Sequence, residues 1–139
     1  MPKRGNLNVI LSPHEVAYIV KLFFDDPEDQ RKMVAFAIAE SANNSSAIAR
    51  STTGANIGQR DHGLWQISGR WNGDKLQEAA ENGLNWRDPF VNCWLAVQIW
   101  FSQGPIAWHV YTAEGQGSYA QYLPDADIAL KYPVKPFLI

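Results

Sequence analysis

The sequence predicts a mainly helical α+β fold, with a small β or loop lobe beside a buried central helix. Three observations predict it. Two apolar stretches, 33–39 and 93–101, sit in segments opened by Asp-Pro pairs, Asp26-Pro27 and Asp88-Pro89. Between them, residues 42–62 turn to Asn, Ser, Thr and Gly with short alternating pieces, "AIAR" and "ANIGQ", which suit loops and a small irregular antiparallel sheet. At 139 residues, without repeats, low-complexity segments or a linker, the chain suits one domain over 1–139, with a core over about 12–130 and a tail over 131–139.

Each element has a local cause. "SPHE" at 12–15 is a capping box: Ser12 caps, Pro13 fits the first helical position and Glu15 reaches back to the free amides. Val16, Ile19, Val20 and Phe23 follow at helical spacing and make roughly three amphipathic turns. From Asp26 a second helix runs to about Ser41, and its "MVAFAIA" is apolar on every face, so it is expected to be buried all round. "DKLQEAAENG" reads as a short helix stopping at Gly83. "PFVNCWLAVQIWFSQG" reads as a long one stopping at Gly104, with Phe90, Trp94, Val97 and Phe101 on one face and Val91, Leu95 and Ile99 on another. Helical turns are expected at 105–111 and 117–130, while Pro133 and Pro136 keep the tail from being helical throughout.

Composition removes several function classes. A net charge of −2 gives no basic footprint for nucleic acid. The apolar runs are too short or interrupted to span a bilayer, so no membrane insertion is expected. One cysteine, Cys93, excludes an internal disulfide framework and is expected to be a buried core thiol. His14, His62 and His109 lack ligand spacing, so no metal site and no cofactor are expected, and neither a phosphate-cradling glycine loop nor a nucleophilic serine motif occurs. The first ten residues lack the charged-then-apolar order of a signal peptide.

Two carboxylates stand out. Met33, Phe36, Ala37 and Glu40 fall at i, i+3, i+4 and i+7, so Glu40 extends an apolar stripe. Burial there disfavours the charged form and raises the pKa, which a general acid working near neutral pH requires. The same position also suits an ordinary exposed glutamate in a last turn. Asp61 opens "DHGLWQIS" and stands either as a second carboxylate across a cleft or as a turn residue bonded to its own backbone. Among the six tryptophans, Trp94 and Trp100 are expected in the core, while Trp65 and Trp71 fall in the loop-rich region.

The order Glu40-Ser41, then "DHGLWQI" at 61–67, Arg70-Trp71, "DPFVNCWLAVQIW", "IAWHVY" at 106–111 and "GSYAQYL" at 117–123 resembles the lysozyme superfamily. Within it, the chain is most similar to the lysozyme-like and lytic transglycosylase domains of bacteriophages and actinobacteria, and more distantly to the animal enzymes. The resemblance covers about 30–123. It implies a cleft between helical body and lobe, and cleavage of the β-1,4 bond between N-acetylmuramic acid and N-acetylglucosamine in peptidoglycan glycan strands. It makes Glu40 the proton donor and Asp61 the second carboxylate, with Ser41 in a supporting hydrogen bond. Gly63, Leu64, Trp65 and Gln66 become the cleft wall, Trp65 and Trp71 the candidates for sugar contact, Trp108 the apolar partner of Glu40, and Tyr111 a nearby aromatic. The readings that follow are a lysozyme acting as a muramidase, a lytic transglycosylase leaving 1,6-anhydro ends, or a glycan-binding protein without turnover. The resemblance further implies a phage-encoded, signal-less chain, carried in a virion or lysin assembly or held in the cytoplasm until lysis, acting on the bacterial wall.

Overall fold

Five α-helices and a three-stranded sheet make up the regular structure of the computed structural model, which describes residues 7–50, 59–112 and 117–137. Helix α1, Pro13–Phe23, starts on the expected box: Ser12 Oγ accepts the Glu15 amide at 3.1 Å, and Glu15 Oε1 accepts the Ser12 amide at 3.0 Å. It buries Val16, Ala17, Ile19 and Val20. Helix α2, Pro27–Ser41, is capped by Asp26, whose Oδ1 accepts the amides of Glu28 at 2.8 Å and Asp29 at 3.2 Å. Met33 to Ala37 are wholly buried on every face, while Ile38 and Ala39 keep partial exposure, so burial all round ends one turn before Glu40.

Helix α3 spans Gly73–Glu81 and α4 spans Pro89–Gln103, the latter capped by Asp88 through the Phe90 amide at 2.9 Å and ended by Gly104 at φ 76°. The buried line of α4 is Asn92, Cys93, Leu95, Ala96, Ile99 and Trp100. The expectation for Trp94 is thereby corrected. Trp94 and Phe101 sit on the outward side at 40% and 73% exposure, because a helix apolar all round cannot by itself say which face meets the neighbouring helices. Three short 3-10 turns, Pro105–Ala107, His109–Tyr111 and Ser118–Tyr122, lead into helix α5, Leu123–Lys131.

Helices α1, α2 and α5 pack on one another, and α4 closes against α1. Phe36 of α2 is the aromatic hub: the rings of Trp100, Trp108, Tyr111 and Tyr119 lie 5.2–6.0 Å from it. Edge and tilted contacts of this kind add about 0.5–1.5 kcal/mol each to the area they bury. Arg31 forks onto Asp127 at 2.6 and 3.1 Å and ties α2 to α5. The tail lies on α1, with the Val134 amide donating to the His14 carbonyl at 3.0 Å.

The lobe is an antiparallel sheet of β1 (Ile48–Arg50), β2 (Arg60–His62) and β3 (Ile67–Ser68), in that spatial order. Ala49 faces Asp61 across the first pair and Asp61 faces Ser68 across the second. The third strand lies beyond the 42–62 window expected for the sheet, and the "ANIGQ" piece, apart from Gln59, lies outside the described residues. Among the described residues, no helix is long and apolar enough to cross a membrane.

Candidate active site

Glu40 occupies the last turn of α2. Ala42 and Asn43 follow in the left-handed region at φ 50° and 61°, which turns the chain sharply out of the helix. Residues without glycine's freedom adopt that conformation at a cost, so neighbouring contacts must hold it. The segment before α1 supplies them. The Leu11 amide donates to Asn43 O at 2.9 Å, Ser45 N to Val9 O at 2.8 Å, and Val9 N to Ser45 Oγ at 2.9 Å. Ser41 Oγ donates to Ala37 O at 3.0 Å, so its hydrogen bond braces the helix end instead of reaching the neighbouring carboxylate.

The Glu40 carboxyl is pushed up to about 7. Burial is the main cause and repulsion from Asp61 the next, while a hydrogen bond from the Val110 backbone pulls the other way. Asp61, half-buried at the centre of β2, is also raised by burial, and His62 opposes that. Burial thus pushes both carboxyls toward their neutral forms, and the charge of Asp61 adds to the rise at Glu40. The arrangement therefore puts a carboxyl raised to about 7 within electrostatic reach of a second, half-buried carboxyl.

The loop after β2 is built on Asn92, a wholly buried side chain of α4. Its Oδ1 accepts the Trp65 amide at 2.9 Å, and its Nδ2 donates to His62 O and Trp86 O, both at 3.1 Å. Gly63, at φ 79°, is required there: a Cβ would stand 2.2 Å from Asn92 Nδ2. Gln66, at φ 49°, donates through Nε2 to Gly63 O at 3.0 Å and Ala47 O at 3.2 Å, stapling the loop to the residue just before β1.

Leu64 and Trp65, expected in the cleft wall, have no exposed surface, so the Trp65 side chain, also a candidate for sugar contact, lies in the core. Trp65 instead joins lobe to body: its indole donates to Met33 O on α2 at 2.9 Å, and its own carbonyl accepts the Trp108 indole at 2.9 Å. An aromatic between a glycine and a glutamine looks like a cleft residue in sequence, but its apolar area is better satisfied in the core. Trp71 is 65% exposed, with the Arg70 guanidinium 4.8 Å from its ring centroid. Trp108 is buried against Phe36 and Trp100, and half-buried Tyr111 stacks with Tyr119 at 5.3 Å, so both reach Glu40's helix through Phe36.

Trp65 to Ser68, with Asn72, Ile99, Ala107 and Trp108, border a small pocket of about 30 Å³. Among the described residues, no three His, Cys, Asp or Glu side chains converge as a metal site requires. The sequence reading missed Asn92 and the Val110 backbone. Asn92 carries a signal that could have exposed it, since it is the polar residue within the otherwise apolar "PFVNCWLAV". A backbone amide has no sequence signal.

No curated protein matches the chain. Residues 25–112, from just before α2 to just past the Val110 turn, match the family described as a lysozyme like domain. That match covers well over half of the chain and takes in Glu40, Asp61, Asn92 and Trp108. At family level it points to action on peptidoglycan, as a glycosidase or a transglycosylase. The chain thus belongs to the lysozyme-like domain family.

Proposed function

We propose that this protein is a muramidase that cleaves the β-1,4 bond between N-acetylmuramic acid and N-acetylglucosamine, with Glu40 as general acid and base and Asp61 as the second carboxylate. The observation that carries this is the pair itself: a carboxyl raised to about 7, mainly by burial, within electrostatic reach of a second carboxyl at the centre of β2. Glu40 protonates the glycosidic oxygen as the bond breaks, and Asp61 stabilises or captures the oxocarbenium-like centre. Glu40, now a carboxylate, takes a proton from the water that completes hydrolysis. The small pocket has polar borders at Gln66, Ser68 and Asn72 and apolar ones at Ile67, Ile99 and Ala107, which suits the acetamido group of such a sugar. Exposed Trp71 offers a flat apolar face for a further ring.

Glu40→Gln removes the proton and is expected to lower turnover on purified peptidoglycan by about a thousandfold, the usual scale of a lost general acid. Lysis at the wild-type rate by Glu40→Gln would reject the assignment. Mass spectrometry of the products separates the outcomes: reducing ends for hydrolysis, 1,6-anhydro ends for a transglycosylase, and no products for a binding protein.

A further inference from the structure

The chain is acidic overall, yet its charges are not evenly spread. Residues 42–72 hold three of its twelve Lys and Arg residues, Arg50, Arg60 and Arg70, and one of its fourteen Asp and Glu residues, Asp61. In the sheet, Arg50 stands directly opposite Arg60. Side chains alternate along β2, which puts Arg60 and His62 on the face away from Asp61. On that face the His62 ring meets Trp86 edge-on at 4.9 Å, and the Arg87 guanidinium lies 4.2 Å from the Trp86 ring centroid. Gly69 passes alongside, its amide on Arg60 O at 2.8 Å, and a Cβ there would come within 2.8 Å of that oxygen. The surface is therefore compact.

Arg31 is ion-paired with Glu28 and Asp127, whereas neither Arg60 nor Arg87 has an ion pair among the described residues. The Arg87 guanidinium sits 4.2 Å from the Trp86 ring centroid, and a guanidinium held over a ring face keeps in-plane N–H groups that can take a carboxylate in bidentate fashion.

We propose that this outer face of the lobe, centred on Arg60 and Arg87 over Trp86, docks on free carboxylates of the peptides carried by peptidoglycan. The inference rests on peptidoglycan being the substrate. Because the face turns away from Asp61, the carboxylates it takes belong to a strand beside the one in the cleft. An acidic protein thereby gains a local hold on an anionic mesh, and the cleft is presented to it.

The test is sedimentation of the intact protein with purified sacculi stripped of phosphate polymers by hydrofluoric acid, next to cleavage of soluble glycan oligosaccharides without peptides. The combined variant Arg60→Gln/Arg87→Gln is expected to bind sacculi about tenfold more weakly at low salt and to cleave the soluble oligosaccharides at the wild-type rate. Wild type should fall to the variant's level on sacculi whose carboxylates have been amidated. Wild-type binding by the variant, or undiminished binding to amidated sacculi, overturns the proposal. Loss of wild-type binding on removing the phosphate polymers also overturns it and assigns the face to phosphate. If no glycan is cleaved, the glycosidase reading fails by itself, while carboxylate-dependent sedimentation still decides the docking face.

Discussion

The helical body and the sheet lobe are held by different physics, and the carboxylate pair sits where the two meet. The body is made by area: five consecutive residues of α2 without exposure, four rings around Phe36, and three helices that pack mutually. The lobe is made by a few directed contacts. Strands of two and three residues bury little, and the loop between β2 and β3 hangs on one amide side chain, one indole and one glutamine. Many small contacts tolerate the loss of one. A framework of few hydrogen bonds does not, because each loss leaves a buried polar group unpaired.

Asn92→Ala is the sharpest way to break the lobe. It strands the Trp65 amide and the carbonyls of His62 and Trp86, and is expected to cost about 3 kcal/mol in urea unfolding. Hydrogen exchange should show residues 60–68 losing protection first, with α1, α2 and α5 little changed. Ile19→Ala, in the wholly buried face of α1, costs a similar 2–5 kcal/mol by leaving a cavity but lowers protection throughout. Identical exchange patterns in the two variants would remove the distinction between body and lobe.

The same contrast explains what was legible in the sequence. Capping boxes, Asp-Pro starts and Gly stops encode local backbone chemistry, so α1, α2, α4 and their ends follow directly from "SPHE", "DDPED" and "SQG". The position of Glu40 at the end of an apolar stripe was legible for the same reason. The inward face of α4 was not, since it depends on which neighbours arrive, and Trp94 was misplaced accordingly. Nor was the role of Trp65, whose burial depends on a Met33 carbonyl thirty-two residues away and on the Asn92 side chain. Asp61 came from a motif; that it raises Glu40 depends on how the lobe sits on the body.

Glu40 carries the cost of that junction. Its carboxyl binds its proton more tightly folded than unfolded, at about 7 against 4.5. The group therefore burdens the fold only once it ionises: its contribution is fully favourable below pH 4.5 and is lost as pH rises through about 7. Glu40→Gln should match wild-type stability at pH 4 and exceed it by about 3 kcal/mol at pH 8, read from chemical denaturation at both pH values. Equal stability at both would mean that the carboxylate is solvated and not desolvated at the junction. Ser12→Ala, far from the junction, is expected to cost about 1 kcal/mol with the same value at pH 5 and pH 8, because it removes only the side-chain acceptor of the Glu15 amide at the start of α1.

The smallest effect separates the two causes of Glu40's elevation. Asp61→Asn keeps the shape of β2 but removes the charge, so only the lobe's electrostatic share is lost and the body's burial stays. Burial is the larger cause and outweighs the Val110 hydrogen bond, so the Glu40 midpoint should move down only part of the way and remain above 4.5. Carbon-13 NMR of the Glu40 carboxyl reads this directly and does not require the variant to be active. A midpoint that falls all the way to 4.5 would make the lobe, and not the apolar helix, the source of the proton's retention. An unmoved midpoint would mean that the two carboxylates do not sense one another, and that Glu40 owes its proton to the helical body alone.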